Sequence, residues 1–481
     1  MTGTGRLEQA VGHRIQRIVY GQPSADELHY LTTVDRAHLV MLVRQRLLDA
    51  ADATALLRHI ERLRMTGFAA LRGVPTPRGL YLAYEDHLIA TLGPGVGGRV
   101  HTGRSRNDLK ATTTALRLRD RLAELDAEVL RLRAVLLARA RAHRDAFMPL
   151  YTHHQAALPA TYGYYLVGVA LALGREATAL AQAAEALDRC PLGAGAAAGS
   201  ELPIDPGLTA ALLGFAQPAR HALDAVASRD GALRALAAAA GVALTVSRLA
   251  TDLQLWSTAE FGFVTFPDRL VGGSSAMPQK RNAFLLEHLR AKAGSAVGAW
   301  TAAASMTRAT PFTNAIEVGT EAVAEVWRGL DAVLDGVLLA QLLVTGARPV
   351  PQRMAARAED GFVGATALAN RLVQAGVPFR TAHHDVGAAV RRAVARGATR
   401  LADDDLPPGL RGTELALPAL TARQRYGGGP GEFPGLYAAA YQELLGDRDR
   451  CRSTRDRWER AERRLAAEVA RLTGEAGGER G

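Results

Sequence analysis

The sequence predicts a mainly α protein built around a bundle of long helices. Three observations carry this. Hydrophobic residues make up 48% of the 481 residues while aromatics make up only 5%. The apolar content is therefore chiefly Ala, Leu and Val, which suits close-packed helices better than β-sandwiches. From Asp108 to about Arg144 there is no Gly or Pro. Four further stretches repeat apolar residues at helical spacing.

The first hundred residues mix short helices and turns. Leu39, Leu42, Leu47 and Leu48 mark one helix, and Ala53, Leu56, Leu57, Ile60 and Leu63 the next. Gly73-Val74-Pro75-Thr76-Pro77 reads as a loop. Tyr84, Leu88 and Leu92 lie on a helix that stops at Gly93-Pro94-Gly95. The first long helix follows, with Leu116, Leu118, Leu122, Leu125, Val129, Leu130 and Leu136 on its apolar face, roughly 55 Å long at the α-helical rise. The others are expected over about Leu158–Asp188, Asp230–Thr258, Ala283–Met306 and Ile316–Leu343. Helices apolar on more than one face call for a second layer, so subunit association is expected. After Pro351 the pattern shortens, as in a small C-terminal domain, and a charged helix over about Leu436–Leu472 is expected to fringe the surface.

Lys plus Arg exceeds Asp plus Glu, for a formal charge of +10. Basic residues are not interleaved with aromatics, so acidic small substrates are favoured over nucleic acid. Cys190 and Cys451 show no metal-ligand spacing, and a reducing cytoplasm fits them. Met1 to Leu7 is polar, and no run is expected to approach the length of a membrane span.

Three stretches carry chemistry. His101-Thr102-Gly103-Arg104-Ser105-Arg106-Asn107-Asp108 opens the first long helix. Asn107 or Asp108 can cap it, and the free N–H groups with two guanidiniums suit an anion. Tyr151-Thr152-His153-His154-Gln155 is placed at the mouth of the next helix, where a histidine can move a proton at neutral pH. Gly272-Gly273-Ser274-Ser275-Ala276-Met277-Pro278-Gln279-Lys280-Arg281-Asn282 is a lid-like loop. Ser274 can act as a base where Lys280 and backbone N–H groups lower its pKa, and Glu287 on the following helix can orient a histidine. The three together suit proton removal beside a carboxylate followed by loss of a leaving group. No metal or cofactor is called for.

At these residues the chain resembles the argininosuccinate lyase family of the fumarase/aspartase superfamily. The carriers are residues 97–108, 151–155 and 273–282, supported by Pro191-Leu192-Gly193-Ala194-Gly195, Ser228-Arg229-Asp230 and Gly376-Val377-Pro378-Phe379-Arg380. The resemblance implies a three-domain fold (1–107, 108–355 and 356–481). It also implies a homotetramer whose active sites are shared between subunits, and fumarate as product. By family analogy Ser274 takes the Cβ proton and His153, supported by Glu287, is the acid/base partner. Lys280 and Asn282 would hold the α-carboxylate side, and Ser105, Arg106, Asn107, Thr152 and Gln155 would line the dicarboxylate pocket.

The chain departs from the family where the rest of the substrate binds. Aligned on Pro311, it has Asn314, Gly319 and Ala322 where the family has Tyr, Gln and Lys. Asp35 replaces a substrate-binding serine, and Tyr81 a histidine. The expected substrate is therefore an N-substituted aspartate other than argininosuccinate. Argininosuccinate itself, a nitro- or hydrazino-succinate, and a non-catalytic crystallin-like role are the alternatives.

Overall fold

The computed structural model describes residues 25–474 except 75, 77 and 78. The polar start Met1–Leu7, the closing residues 478–481, and Pro75 and Pro77 of the expected loop lie outside the described residues.

Three helices come first: α1 (Ala25–Arg44), α2 (Ala50–Met65) and α3 (Leu80–Leu92). They bury Leu39, Leu42, Leu56, Leu57, Ile60, Tyr84 and Leu88 in one cluster. The α3 helix ends at Gly93, whose φ of 81° suits glycine.

The long helix α4 (Arg106–Ala142) is capped by Ser105, not by Asn107 or Asp108. Ser105 Oγ accepts from the Asn107 N–H at 3.2 Å. Asp108 Oδ1 in turn accepts from the Ser105 N–H at 2.9 Å. This reciprocal box satisfies two donors at once.

The segment after α4 differs from expectation. A β-hairpin, β1 (Phe147–Thr152) and β2 (Gln155–Thr161), precedes α5 (Tyr162–Ala186). The chain around Leu158 is thus extended, and α5 starts where Thr161 Oγ1 accepts from the Tyr164 N–H at 3.1 Å. Burial along β2 rises from exposed Gln155 to buried Thr161 without alternating, so no period of two marks the strand beside the apolar run that follows it.

Then come α6 (Asp230–Trp256), α7 (Phe284–Thr307) and α8 (Ala322–Gly346). The fifth expected helix begins not as α-helix but as a π turn over Glu317–Glu321. Helices α4 to α8 pack in a closed ring, each against its neighbours. Gly329 permits the close approach of α8 to α6, since a Cβ there would meet Leu236 Cδ1 at 2.5 Å. By length and composition α6 and α8 are each sufficient to cross a membrane, contrary to the sequence reading. About half of each apolar window is packed inside the bundle. Leu244, Leu255, Trp300, Leu338 and Leu342 stay exposed on the outward sides of α6, α7 and α8.

The last part comprises α9 (Pro351–Glu359), α10 (Ala365–Gln374), α11 (Phe379–Ala395) and α12 (Phe433–Thr473). Leu368, Ala382, Val386, Leu406 and Leu410 form a small separate core. The charged helix α12 keeps most of its residues exposed or half-buried, yet it is also anchored at both ends. Its Ala440 and Leu444 join the bundle core, and Leu465 and Val469 join the N-terminal core. Asp447 pairs with the buried Arg133 of α4. A heavily charged helix can bury a narrow stripe at each end, here Ala440 and Leu444 and then Ala461 to Thr473, and its many arginines hide that stripe in composition.

Candidate active site

The first motif is held rigidly. Asp108 is fully buried, and its Oδ2 accepts from Gly193 N at 3.0 Å and Gly195 N at 2.9 Å. Burial raises its pKa, and these backbone bonds and that from Ser105 pull the other way. The Pro191–Gly195 loop is thereby stapled to the start of α4.

Arg104 points inward and not to solvent. Its guanidinium meets Asp35 Oδ1 at 2.6 Å with both side chains 0% exposed. Asp35 Oδ2 accepts from Tyr84 OH at 2.7 Å. The Tyr81 hydroxyl lies 2.6 Å from His101 Nδ1 and 3.4 Å from Arg104 Nη2. The two departures, Asp35 and Tyr81, therefore belong to one buried network around Arg104. Asp35 is sealed inside that network, bonded to Arg104 and Tyr84. Burial, then the Arg104 and Arg106 charges, push His101 down to about 4. His38, whose Nε2–H donates to Thr102 O at 2.7 Å, is pushed down to about 3 by burial first and Arg104 second.

This packing leaves Ser105, Arg106 and Asn107 at the surface side of the motif, with Arg106 exposed. Asn107 Nδ2 donates to Ala196 O at 3.0 Å, and its Oδ1 accepts from Asn314 Nδ2 at 2.9 Å. The fold thus joins two candidate residues from distant segments. Lys110 and Thr320 meet beside them at 2.5 Å. Neither was singled out from sequence; Lys110 lies three residues after Asn107, on the same helix face.

The second motif is the tip of the β1–β2 hairpin. Thr152 pairs with Gln155, so His153 and His154 are the two turn residues. Their φ values are 50° and 61°. A two-residue hairpin turn with both residues left-handed matches the strand twist but strains any residue other than Gly, Asn or Asp. Thr152, His153, His154 and Gln155 are all exposed.

The third motif is a loop closed at its neck. Gly272 and Asn282 exchange two backbone hydrogen bonds of 2.8 Å. Ser274 Oγ accepts from Ala276 N at 3.3 Å and Met277 N at 3.1 Å. Asn282 Nδ2 donates to Gly273 O at 3.3 Å, and Arg281 is anchored to Phe266 O and Asp268. Lys280 is exposed. Glu287 accepts from Gln254 Nε2 at 3.5 Å.

Within the chain, among the described residues, no hydrogen bond or ion pair joins His153 to Ser274 or Glu287. Clefts of about 390 and 430 Å³ flank α12 and are lined by none of the candidate residues.

Residues 83–298 match the family model described as Lyase, and residues 362–407 the one described as Argininosuccinate lyase C-terminal. An argininosuccinate lyase from Methanoculleus marisnigri is 39% identical over 77% of this chain and 78% of its own. One from Thermus thermophilus is 40% identical over 76% and 79%. An EDDS lyase variant solved with bound fumarate superposes with a TM-score of 0.85 at 26% identity, over 95% of this chain and 93% of that one. A class II fumarase from Schistosoma mansoni shares the fold at a TM-score of 0.67 and 15% identity, over 82% and 91%.

Proposed function

The chain belongs to the argininosuccinate lyase family of the fumarase/aspartase superfamily and is a carbon–nitrogen lyase; on that premise we propose that it releases fumarate from an N-substituted aspartate by β-elimination. Ser274 takes the proton from Cβ, electrons of that bond form the Cα–Cβ double bond, and the C–N bond breaks. His153, supported by Glu287, protonates the departing nitrogen. Lys280 and Asn282 hold the α-carboxylate side, where charge develops. Ser105, Arg106, Asn107, Thr152 and Gln155 bind the dicarboxylate.

The observation that carries this reading is the pair of backbone N–H groups on Ser274 Oγ, at 3.3 and 3.1 Å. Such donors favour a serine oxygen that bears negative charge. Fumarate bound in an EDDS lyase variant of similar fold supports the product.

A homotetramer with shared sites, divided at residues 107 and 355 into three domains and working in the cytoplasm, completes the proposal. The large apolar residues left exposed on α6, α7 and α8 support assembly. So does the exposed His153 turn, which needs a Ser274 loop to work with.

The leaving amine is proposed to differ from arginine, because Ala322 and Gly319 offer no charge or amide to it. Arginine is the second reading, favoured by 39–40% identity to argininosuccinate lyases over three-quarters of the chain. The test is to incubate the protein with fumarate and a panel of amines, arginine among them, and follow loss of fumarate absorbance. Consumption with arginine alone reverses the substrate preference, and consumption with no amine refutes the reaction.

A further inference from the structure

Helix α12 packs on α4 and α5 but is buried only near its ends. Between Leu444 and Ala461 none of its residues is buried. Large side chains fill that stretch, among them Arg448, Arg455, Arg457 and Trp458. Facing it are apolar residues at helical spacing, several of them small. They are Ala123, Ala127 and Leu130 on α4, and Leu180, Ala184 and Leu187 on α5. Bulk on one side and alanine on the other leave a cleft of about 390 Å³ between the layers. That is the size of a small-molecule site.

The floor of the cleft is apolar, and Ala127, Leu130, Ala184 and Leu187 stay only half-buried. The rim is cationic, with seven arginines lining the cleft against three carboxylates. Some of these charges are spoken for. Arg457 meets Asp188 at 2.7 Å, and Arg450 pairs with Asp447. Asp126 accepts from the Cys451 thiol at 2.7 Å. Arg119 lies 4.5 Å over the Trp458 ring. Arg452 and Arg455 are different. Both are exposed, they lie three residues apart on one helix, and neither has a hydrogen bond or ion pair among the described residues. The neighbouring cleft shares Arg119, Arg455 and Trp458 but carries five carboxylates against four guanidiniums. The excess of positive charge therefore singles out the first cleft for an anion.

We propose that this cleft binds an aromatic carboxylate, with its carboxylate on Arg452 and Arg455 and its ring against Ala127, Leu130 and Ala184. Guanidiniums suit both parts of such a ligand, since they fork onto carboxylates and stack on aromatic faces. The site shares no residue with the catalytic assignment and does not depend on it. It lies on α4, α5 and α12, apart from the exposed apolar residues of α6, α7 and α8.

Calorimetric titration of the full chain with 2-naphthoate and with its neutral amide, 2-naphthamide, tests this. The wild type is expected to bind the carboxylate about 10-fold more tightly, the lower end of what a charge-assisted hydrogen bond contributes. Arg452→Gln combined with Arg455→Gln should erase that margin and leave the amide unchanged. Both side chains are exposed, so this double variant is expected to fold. Ala127→Leu, which fills the floor, should weaken both ligands. Saturating fumarate should not displace naphthoate; displacement would put naphthoate in the dicarboxylate pocket and overturn the proposal. Equal binding of acid and amide, binding of neither, a margin that survives the double variant, or full naphthoate affinity in Ala127→Leu would each overturn it as well.

Discussion

Asn314 donates a 2.9 Å hydrogen bond to Asn107 across 207 residues of sequence. The opposite end of the Asn107 amide is bonded to Ala196 O. Asn107 is therefore oriented from two sides, and part of the binding role proposed for it belongs to Asn314. Replacing Asn314 by Leu should lower kcat/KM for fumarate release about 2- to 10-fold, the usual net worth of one neutral hydrogen bond. Steady-state kinetics with a competent amine checks this, and a rate equal to wild type removes Asn314 from the site.

Among the described residues, Ser274 Oγ bonds only to backbone groups of its own loop. Ser274→Ala should therefore cost little stability. It should lower the rate of fumarate release by about 10²–10⁴, the contribution of a placed acid/base group. A variant with full activity would assign the base elsewhere.

The two turn histidines separate structure from chemistry. Both are left-handed, so a glycine is accepted at either position. His154→Gly should keep activity and hold or raise stability, by up to about 1 kcal/mol of relieved strain. His153→Gly should keep the hairpin and lose activity about 10²–10⁴-fold. Thermal denaturation and turnover, measured on both variants, decide it.

The Asp35–Arg104 pair is sealed from solvent. Asp35→Ala strands a buried guanidinium and should destabilise the fold by about 3–5 kcal/mol. Replacing both partners with apolar residues, Asp35→Leu with Arg104→Met, should recover much of that loss. Chemical denaturation of the single and double variants gives the comparison. A mild effect of Asp35→Ala would mean that water reaches the pair.

His38 is neutral in the fold, with its pKa pushed down to about 3. The unfolded chain protonates this group near its ordinary pKa of 6.5. Below that value the unfolded state binds the extra proton, so stability present above it is lost as pH falls. Between pH 7 and 5 the loss from His38 should be about 2 kcal/mol. His38→Asn should flatten the pH dependence of the unfolding free energy over that window; an unchanged slope would place the sensitivity in other groups such as His101.

The fold class and the reaction class were legible in the chain itself. Apolar residues at helical spacing fix helices through local periodicity, and α4, α6 and α7 lie within a few residues of where that periodicity puts them. The three motifs are contiguous strings, and contiguous strings carry their chemistry in sequence order. Other features were not legible, because they depend on what comes near in space. The turn geometry of His153 and His154 requires the partner strand. The stripe that buries α12 is defined only by the N-terminal and bundle cores on either side of it.

Asp35 and Tyr81 show the same division most clearly. As sequence they are two unrelated departures from a family pattern. Only the tertiary structure gathers them around Arg104, where a buried guanidinium needs a carboxylate and a hydroxyl to offset its lost hydration. The sequence by itself determined the long helices and the three candidate strings, since both are set by neighbours along the chain. The tertiary structure alone decided which charges are paired and which, like Arg452 and Arg455 among the described residues, are left unpaired, because burial and distance in space set that balance.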